Sequence, residues 1–552
     1  MPDLSTISTD GALFAAAIGV PLALLMACVS RRVRNRLRFL LPLAPVPALA
    51  AAAWGGYGPS LVLGNAAFVL TFTLDLPGAV LLGVAAVLWI AAGIYAVEFL
   101  RDRSNAGTFI VCWLMTLTGC VGVFLAADLV GFYFLLAVLS VGASGLVLQG
   151  EGPQALRAGA VYLGLALLAE AFLLAGLVLL SGNMPEGSLL IRDAAASLAT
   201  SPARDLTLTL LIVGLGMKAG LVPLHFWMPL AYSAAPIPAA AVLSGAVVKA
   251  SVLALVRFLP LDAAAPDFGL PLAMVGLFGA LYGAAVGITQ SDPKTVLAYS
   301  SVSQLGFVVA VIGMGMAAGD AGTAVAAAFY AAHHLLVKGA LFLAVGVIAA
   351  TGRRRLWPVL LPAAFIALGL GGLPLTGGAL TKYAAKALLG DGVAGTVAML
   401  SSVATTLLML HFLRRLMASV ANDVDAQAPV GLTWPWLALA LASVVLPWAL
   451  YLAIPIDTLP TAIAPQAIWS ALWPVLIGAA LAFALHRYRS YLPRIPAGDV
   501  GGLLRPLERA GAALGAVLES ADTLVRRWTV ACITLVALAV VFGVTLRNAG
   551  WL

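Results

Sequence analysis

Apolar stretches of about 20 residues recur along this chain roughly every 34 residues, each long enough as a helix to cross a hydrocarbon core of about 30 Å. Only 10% of the residues are charged, against about 25% in soluble proteins, so the chain reads as an integral membrane protein. About sixteen spans are expected, near 11–29, 38–54, 76–97, 107–126, 128–149, 157–181, 205–228, 236–258, 270–289, 296–317, 321–350, 356–390, 393–413, 432–453, 467–485 and 527–546. The opening Met1-Pro2-Asp3 places no basic residue before the first apolar run, so that run is expected to be retained as a span. Between the last two runs, Leu503, Leu507, Leu514 and Leu518 share one helical face with Arg505, Glu508, Arg509 and Glu519 elsewhere. Residues 498–526 are therefore expected to lie as an amphipathic helix on lipid or on a neighbouring subunit.

The charges fall into two classes. Arg supplies 24 of the 30 cations and sits mostly between apolar runs, at Arg31 to Arg38, Arg101, Arg103, Arg353 to Arg355, Arg414, Arg415, Arg487, Arg489 and Arg494. These clusters are topology signals, and the net charge of +7 is not a nucleic-acid surface. With the first cluster cytoplasmic, alternation brings the others to the same side and leaves both termini outside. Lys supplies only six cations. Lys218, Lys249, Lys338, Lys382 and Lys386 lie inside apolar runs or at their breaks, and Lys294 stands in a loop.

In the seventh run Lys218 precedes Gly220-Leu221-Val222-Pro223-Leu224, and in the twelfth Gly372-Leu373-Pro374-Leu375 precedes Gly377, Gly378 and Lys382. These runs point in opposite directions, which suggests an inverted repeat. Interrupted helices at membrane depth are tolerated only beside protein or water, so paired breaks point to an ion or substrate path near the midplane. Ordinary proline kinks are the plainer alternative.

A charge at mid-bilayer costs about 2.5–3.5 kcal/mol on insertion scales, so unneeded lysines there would be a heavy penalty. Arg keeps its proton in proteins, whereas a buried Lys can exchange one, which suits Lys to proton transfer. Snorkelling to the interface suits Lys386 better than Lys218, Lys249 or Lys338. His334 and Lys338 form an i, i+4 pair beside His333, and His225 is expected two helical turns beyond Lys218 on the same face. Glu170 is the only carboxylate near the middle of a span, Glu98 and Asp128 lying near span ends. Glu170 is expected to pair with Lys218, or else to stay protonated against a neighbouring helix. Adjacent histidines point about 100° apart on a helix, and no carboxylate or thiol is spaced to complete a metal site with them. Cys28, Cys112, Cys120 and Cys532 lack C-x-x-C spacing and read as packing residues. No P-loop, G-x-S-x-G or H-E-x-x-H occurs, so neither a catalytic site nor a cofactor is expected.

Several longer motifs occur in a fixed order: Gly216-Met217-Lys218-Ala219 through Pro223-Leu224-His225-Phe226-Trp227-Met228-Pro229, then Asp292-Pro293-Lys294-Thr295 through Ser303-Gln304-Leu305-Gly306, then His333-His334-Leu335-Leu336-Val337-Lys338, then Gly372-Leu373-Pro374-Leu375-Thr376-Gly377. Over roughly residues 70–420 the chain resembles the proton-translocating antiporter-like subunits shared by respiratory complex I, membrane-bound hydrogenases and Mrp-type cation/proton antiporters. The resemblance implies an all-α polytopic fold with a 14-helix core, two inverted five-helix repeats, broken helices 7 and 12, and two further C-terminal spans. The parts would be 1–106, the repeats 107–258 and 270–413, and a C-terminal extension 414–552.

By the same resemblance Lys218 would bind the proton on helix 7, Lys249 would be the connector, Lys338 with His334 the central relay and Lys382 the outlet. Glu170, His225, His333, Asp128 and Lys386 would be accessory. One position departs: the fifth-helix Glu of the family falls at Ala137. Either Glu170 replaces it or full coupling is lost. The expected function is proton conduction by one subunit of a multisubunit energy-converting complex in the bacterial cytoplasmic membrane, with other membrane subunits as partners. Whether Na+ also moves stays open. The alternatives are a non-pumping scaffold, or a proton-flux subunit driving inorganic-carbon uptake by a peripheral cytoplasmic partner.

Overall fold

Runs rich in Leu, Ala and Val satisfy their backbone groups most simply as helices when no water competes for them. The computed structural model describes residues 9–488 except 35, 59, 66–67, 183, 185–187 and 455–458. The expected amphipathic segment 498–526, the expected last span and Cys532 lie outside the described residues. The main helices are α1 Thr9–Ala27, α2 Val46–Trp54, α3 Leu76–Phe99, α4 Ala106–Leu125, α5 Leu129–Val147, α6 Gly152–Ser181, α7 Arg204–Ala219, α8 Ile237–Phe258, α9 Pro266–Gly287, α10 Pro293–Ala318, α11 Thr323–Ala349, α12 Trp357–Gly371, α13 Gly377–Leu389, α14 Val393–Met417, α15 Val430–Ala453 and α16 Pro465–Arg487. Among the described residues, twelve helices are long and apolar enough to cross a membrane.

Burial is graded across these helices. Every residue in the span window of α10 is buried, and 94% in those of α8 and α11, against 17% in α16. The central helices therefore carry Lys249 and Lys338 with both side chains fully buried. Close backbone approach builds this centre. A Cβ on Gly276 of α9 would fall 2.6 Å from the Gly306 carbonyl oxygen of α10, and one on Gly283 would fall 2.6 Å from the Ser303 nitrogen. Such contacts supply the packing that holds helices together in lipid, where no hydrophobic force does.

Two expectations need correction. The run at 38–54 is not one helix: a 3-10 turn Arg36–Leu40 and further turns lead into α2 of nine residues. Pro42, Pro45 and Pro47 explain the interruption, since each removes a backbone donor. The chain is also not wholly helical. Strands β1 Ser60–Asn65 and β2 Phe68–Thr73 pair antiparallel, Ser60 opposite Thr73 and Asn65 opposite Phe68.

This hairpin explains Asp128, expected above as an accessory to the titratable path. Its Oδ1 accepts from the Gly131 N–H at 2.7 Å and its Oδ2 from the Thr71 N–H at 2.6 Å. Asp128 thus caps α5 and ties β2 to it, a structural task that occupies both carboxylate oxygens.

Arg257, at the end of α8, is a cation that reading by clusters passed over. Its Nε and Nη2 donate to the two Asp75 oxygens at 2.9 and 2.8 Å, and it also donates to the carbonyls of Phe124 at 2.8 Å and Ala126 at 3.1 Å. Asp75 in turn caps α3 through the Gly78 N–H. Burial works against ionisation of Asp75, but the Arg257 charge and these hydrogen bonds hold its carboxyl below its usual range. The clamp joins the ends of α3, α4 and α8. Arg257→Met should lower the melting temperature of the purified protein, because each charge-assisted hydrogen bond is worth about 1.5–3 kcal/mol. An unchanged melting temperature would remove the clamp from the account of stability.

Candidate functional site

Lys218 lies in the last turn of α7, which stops at Gly220 in the left-handed region with φ 74°. Pro223 follows, so the chain runs through turns until the short helix Trp227–Ala234. Gly214, one turn before Lys218, lets α7 approach α6: a Cβ there would fall 2.9 Å from the Ala169 carbonyl oxygen. The next residue on α6 is Glu170. Its Oε1 lies 2.8 Å from Lys218 Nζ, and Ser140 Oγ of α5 accepts from the same ammonium at 2.7 Å. Both charged side chains are largely buried, at 11% and 6% exposed.

A cavity of about 40 Å³ joins Lys218 and Ser140 to Val248 and Ser251 on α8. Lys249 stands between those two residues in sequence. Just before it, Leu243–Val247 widens into a π turn, and the Val248 N–H bonds to Leu243 O. The Ser244 carbonyl, freed of its α-helical partner, accepts from Lys249 Nζ at 2.9 Å. Ser244 Oγ meets Ser301 Oγ of α10 at 3.0 Å.

His334 of α11 is fully buried, and its ring nitrogens have no hydrogen-bond partner among the described residues. It lies within electrostatic range of Lys249, Lys338 and His333. Lys338 Nζ donates to the Leu297 carbonyl of α10 at 2.9 Å. The His333 ring packs on the start of α13, where a Cβ on Gly377 would fall 2.5 Å from Nδ1, and it lies within electrostatic range of Lys382. Lys382 Nζ donates to Gly371 O at 2.8 Å and to Ser402 Oγ at 2.9 Å. That carbonyl is available because α12 ends at Gly372, with φ 102°.

The structure thus brings together Glu170 with Lys218, Lys249 with His334 and Lys338, and His333 with Lys382. Lys386 stands exposed one turn beyond Lys382, 3.9 Å from Asp391. His225 does not share a helical face with Lys218, because α7 has already ended; its ring packs edge-on against Tyr282 at 5.1 Å. Lys294 is no free loop cation either, since its Nζ donates to the Ala235 carbonyl at 2.8 Å. Ser140 carries no signal in the sequence, because α5 is an apolar helix with a second serine, Ser144, and nothing there distinguishes the two. Among the described residues no three His, Cys, Asp or Glu side chains gather as a metal site.

The described residues thus form a polytopic helical protein that buries lysines and histidines at its centre, the arrangement of a membrane protein built around ionisable groups. The family described as NADH:quinone oxidoreductase/Mrp antiporter, TM matches residues 126–409, about half of the chain, and the chain belongs to this family. It is 34% identical over 323 residues to NADH-quinone oxidoreductase subunit N of Desulforudis audaxviator, a match covering 55% of this chain and 63% of that one. It is 28% identical over 299 residues to hydrogenase-4 component B of Escherichia coli, covering 50% of this chain and 43% of that one. The chain therefore spans less than two thirds of either relative. In fold it is similar to a chain in the Mrp complex of a Dietzia species, with TM-score 0.69 and 22% identity over 86% of this chain and all of that one.

Proposed function

We propose that this protein is a proton-conducting, antiporter-like subunit of a multisubunit energy-converting complex in a bacterial cytoplasmic membrane, with other membrane subunits as its partners. Protons pass from Lys218 to Lys249, to His334 and Lys338, and to Lys382, with His333 between the last two stations. The observation that carries this reading is the buried contact of Glu170 with Lys218 at the head of that succession. The carboxylate holds the ammonium at the head of the path, and parting the two lets the Lys218 proton move on to Lys249. Lys serves at each station because it can give its proton up, which Arg does not.

The two broken helix pairs, α7 with Trp227–Ala234 and α12 with α13, belong to the two inverted repeats in this reading, each with its lysine beside the break. The missing carboxylate at Ala137 favours the scaffold alternative, and the Glu170 contact opposes it by supplying a carboxylate to the same lysine. The test is proton flux through the assembled complex in liposomes loaded with a pH-sensitive dye. Lys338→Ala should lower flux by about 100-fold, the usual range for losing a positioned acid or base, while the complex assembles. Wild-type flux in that variant would exclude a central relay at Lys338.

A further inference from the structure

A cavity of about 220 Å³ opens beside Lys382. Its walls include Lys382, Lys386 and Ser402, but also Ala467, Ala471 and Pro474 of α16, a helix that begins well after the family-matched segment ends at residue 409. The small residues Ala467, Ala471, Pro474 and Gly478 recur at helical spacing along α16. At the Gly478 end the helix is pressed onto α14: a Cβ there would fall 2.7 Å from Thr406 Cβ and 2.8 Å from the Val403 carbonyl oxygen. At the Ala467 end the same helix stands off and leaves the cavity. Ala467 and Ala471 put only methyl groups on the cavity wall, beside the larger Ile468 and Ser470 of the same helix. From Lys382 the cavity extends along one face of α13 to Lys386, whose ammonium is exposed near Asp391.

We propose that α16 is part of the conduction path, and that Ala467 and Ala471 set the bore of the vestibule through which protons pass between Lys382 and water. The proposal rests on the reading of Lys382 as the outlet. Narrowing an aqueous passage with apolar bulk raises the barrier by excluding water, without touching any titratable group.

The test uses the intact complex in dye-loaded liposomes. Ala471→Phe should lower flux by about 10-fold or more, as expected for an apolar constriction, whereas Ala471→Ser keeps the wild-type rate. Trp469→Phe, on the exposed side of α16, should also keep the wild-type rate. Should Ala471→Phe prevent assembly, Ala471→Cys replaces it, assembled first and then treated with a charged methanethiosulfonate. Loss of flux on treatment, absent in the treated wild-type complex, supports the vestibule; unchanged flux with the thiol fully modified overturns it. Lys382→Ala separates the two ideas. If that variant conducts normally, the outlet reading itself fails. If it is inactive while the assembled Ala471→Phe complex, or the modified Ala471→Cys complex, conducts at the wild-type rate, α16 has no part in the path.

Discussion

Lys218→Ala is expected to abolish proton flux while the complex still assembles. The ammonium sits where α7 ends, holding Glu170 and Ser140 across two helices, and its loss removes the first exchanging group of the path. A reduction of about 100-fold or more is the expected size. Breaking a buried pair by removing one partner also costs about 3–5 kcal/mol, so assembly has to be read beside flux. The assembled complex on a native gel, compared with its flux in liposomes, separates the two effects. Assembly with flux intact would remove Lys218 from the path.

The second large effect is expected at Glu170. Glu170→Gln keeps the size of the side chain and an acceptor for Lys218 but removes the counter-charge, and should lower flux strongly. The rescue is the sharper part. Ala137 precedes Ser140 by three residues on α5, so the two share a face, and Ser140 already touches the Lys218 ammonium. Ala137→Glu in the Glu170→Gln background should therefore return part of the flux, because a carboxylate then approaches the same lysine from α5. If Glu170→Gln alone conducts at the wild-type rate, the carboxylate on α6 does not act for the one absent from α5.

The features readable from sequence share one property: each violates what lipid permits. Lysines inside apolar runs, a mid-span Glu and Gly-Pro breaks are costly in a bilayer, so they stand out without any knowledge of the fold. What stayed hidden conforms to the local rules. Ser140 and the π turn at Leu243–Val247 leave no mark in an apolar helix, yet one touches Lys218 and the other frees the carbonyl that holds Lys249. Arg257 falls at the end of a run and looks like another boundary charge, although its partner Asp75 lies 182 residues away. The hairpin at 60–73 lies between runs, and its pairing to Asp128 is a tertiary fact. His225 shows the opposite error, in which helical periodicity was carried through Gly220 and Pro223, residues that end the helix.

The most direct test of the central claim is to replace Lys with Arg at Lys218, Lys249 and Lys338, one at a time, and to measure proton flux in the reconstituted complex. Arg preserves the positive charge at each station but keeps its proton, so each variant should assemble and yet conduct about 100-fold less than wild type. Wild-type flux in all three Arg variants would mean that these positions supply fixed charge only, and that protons do not travel through them.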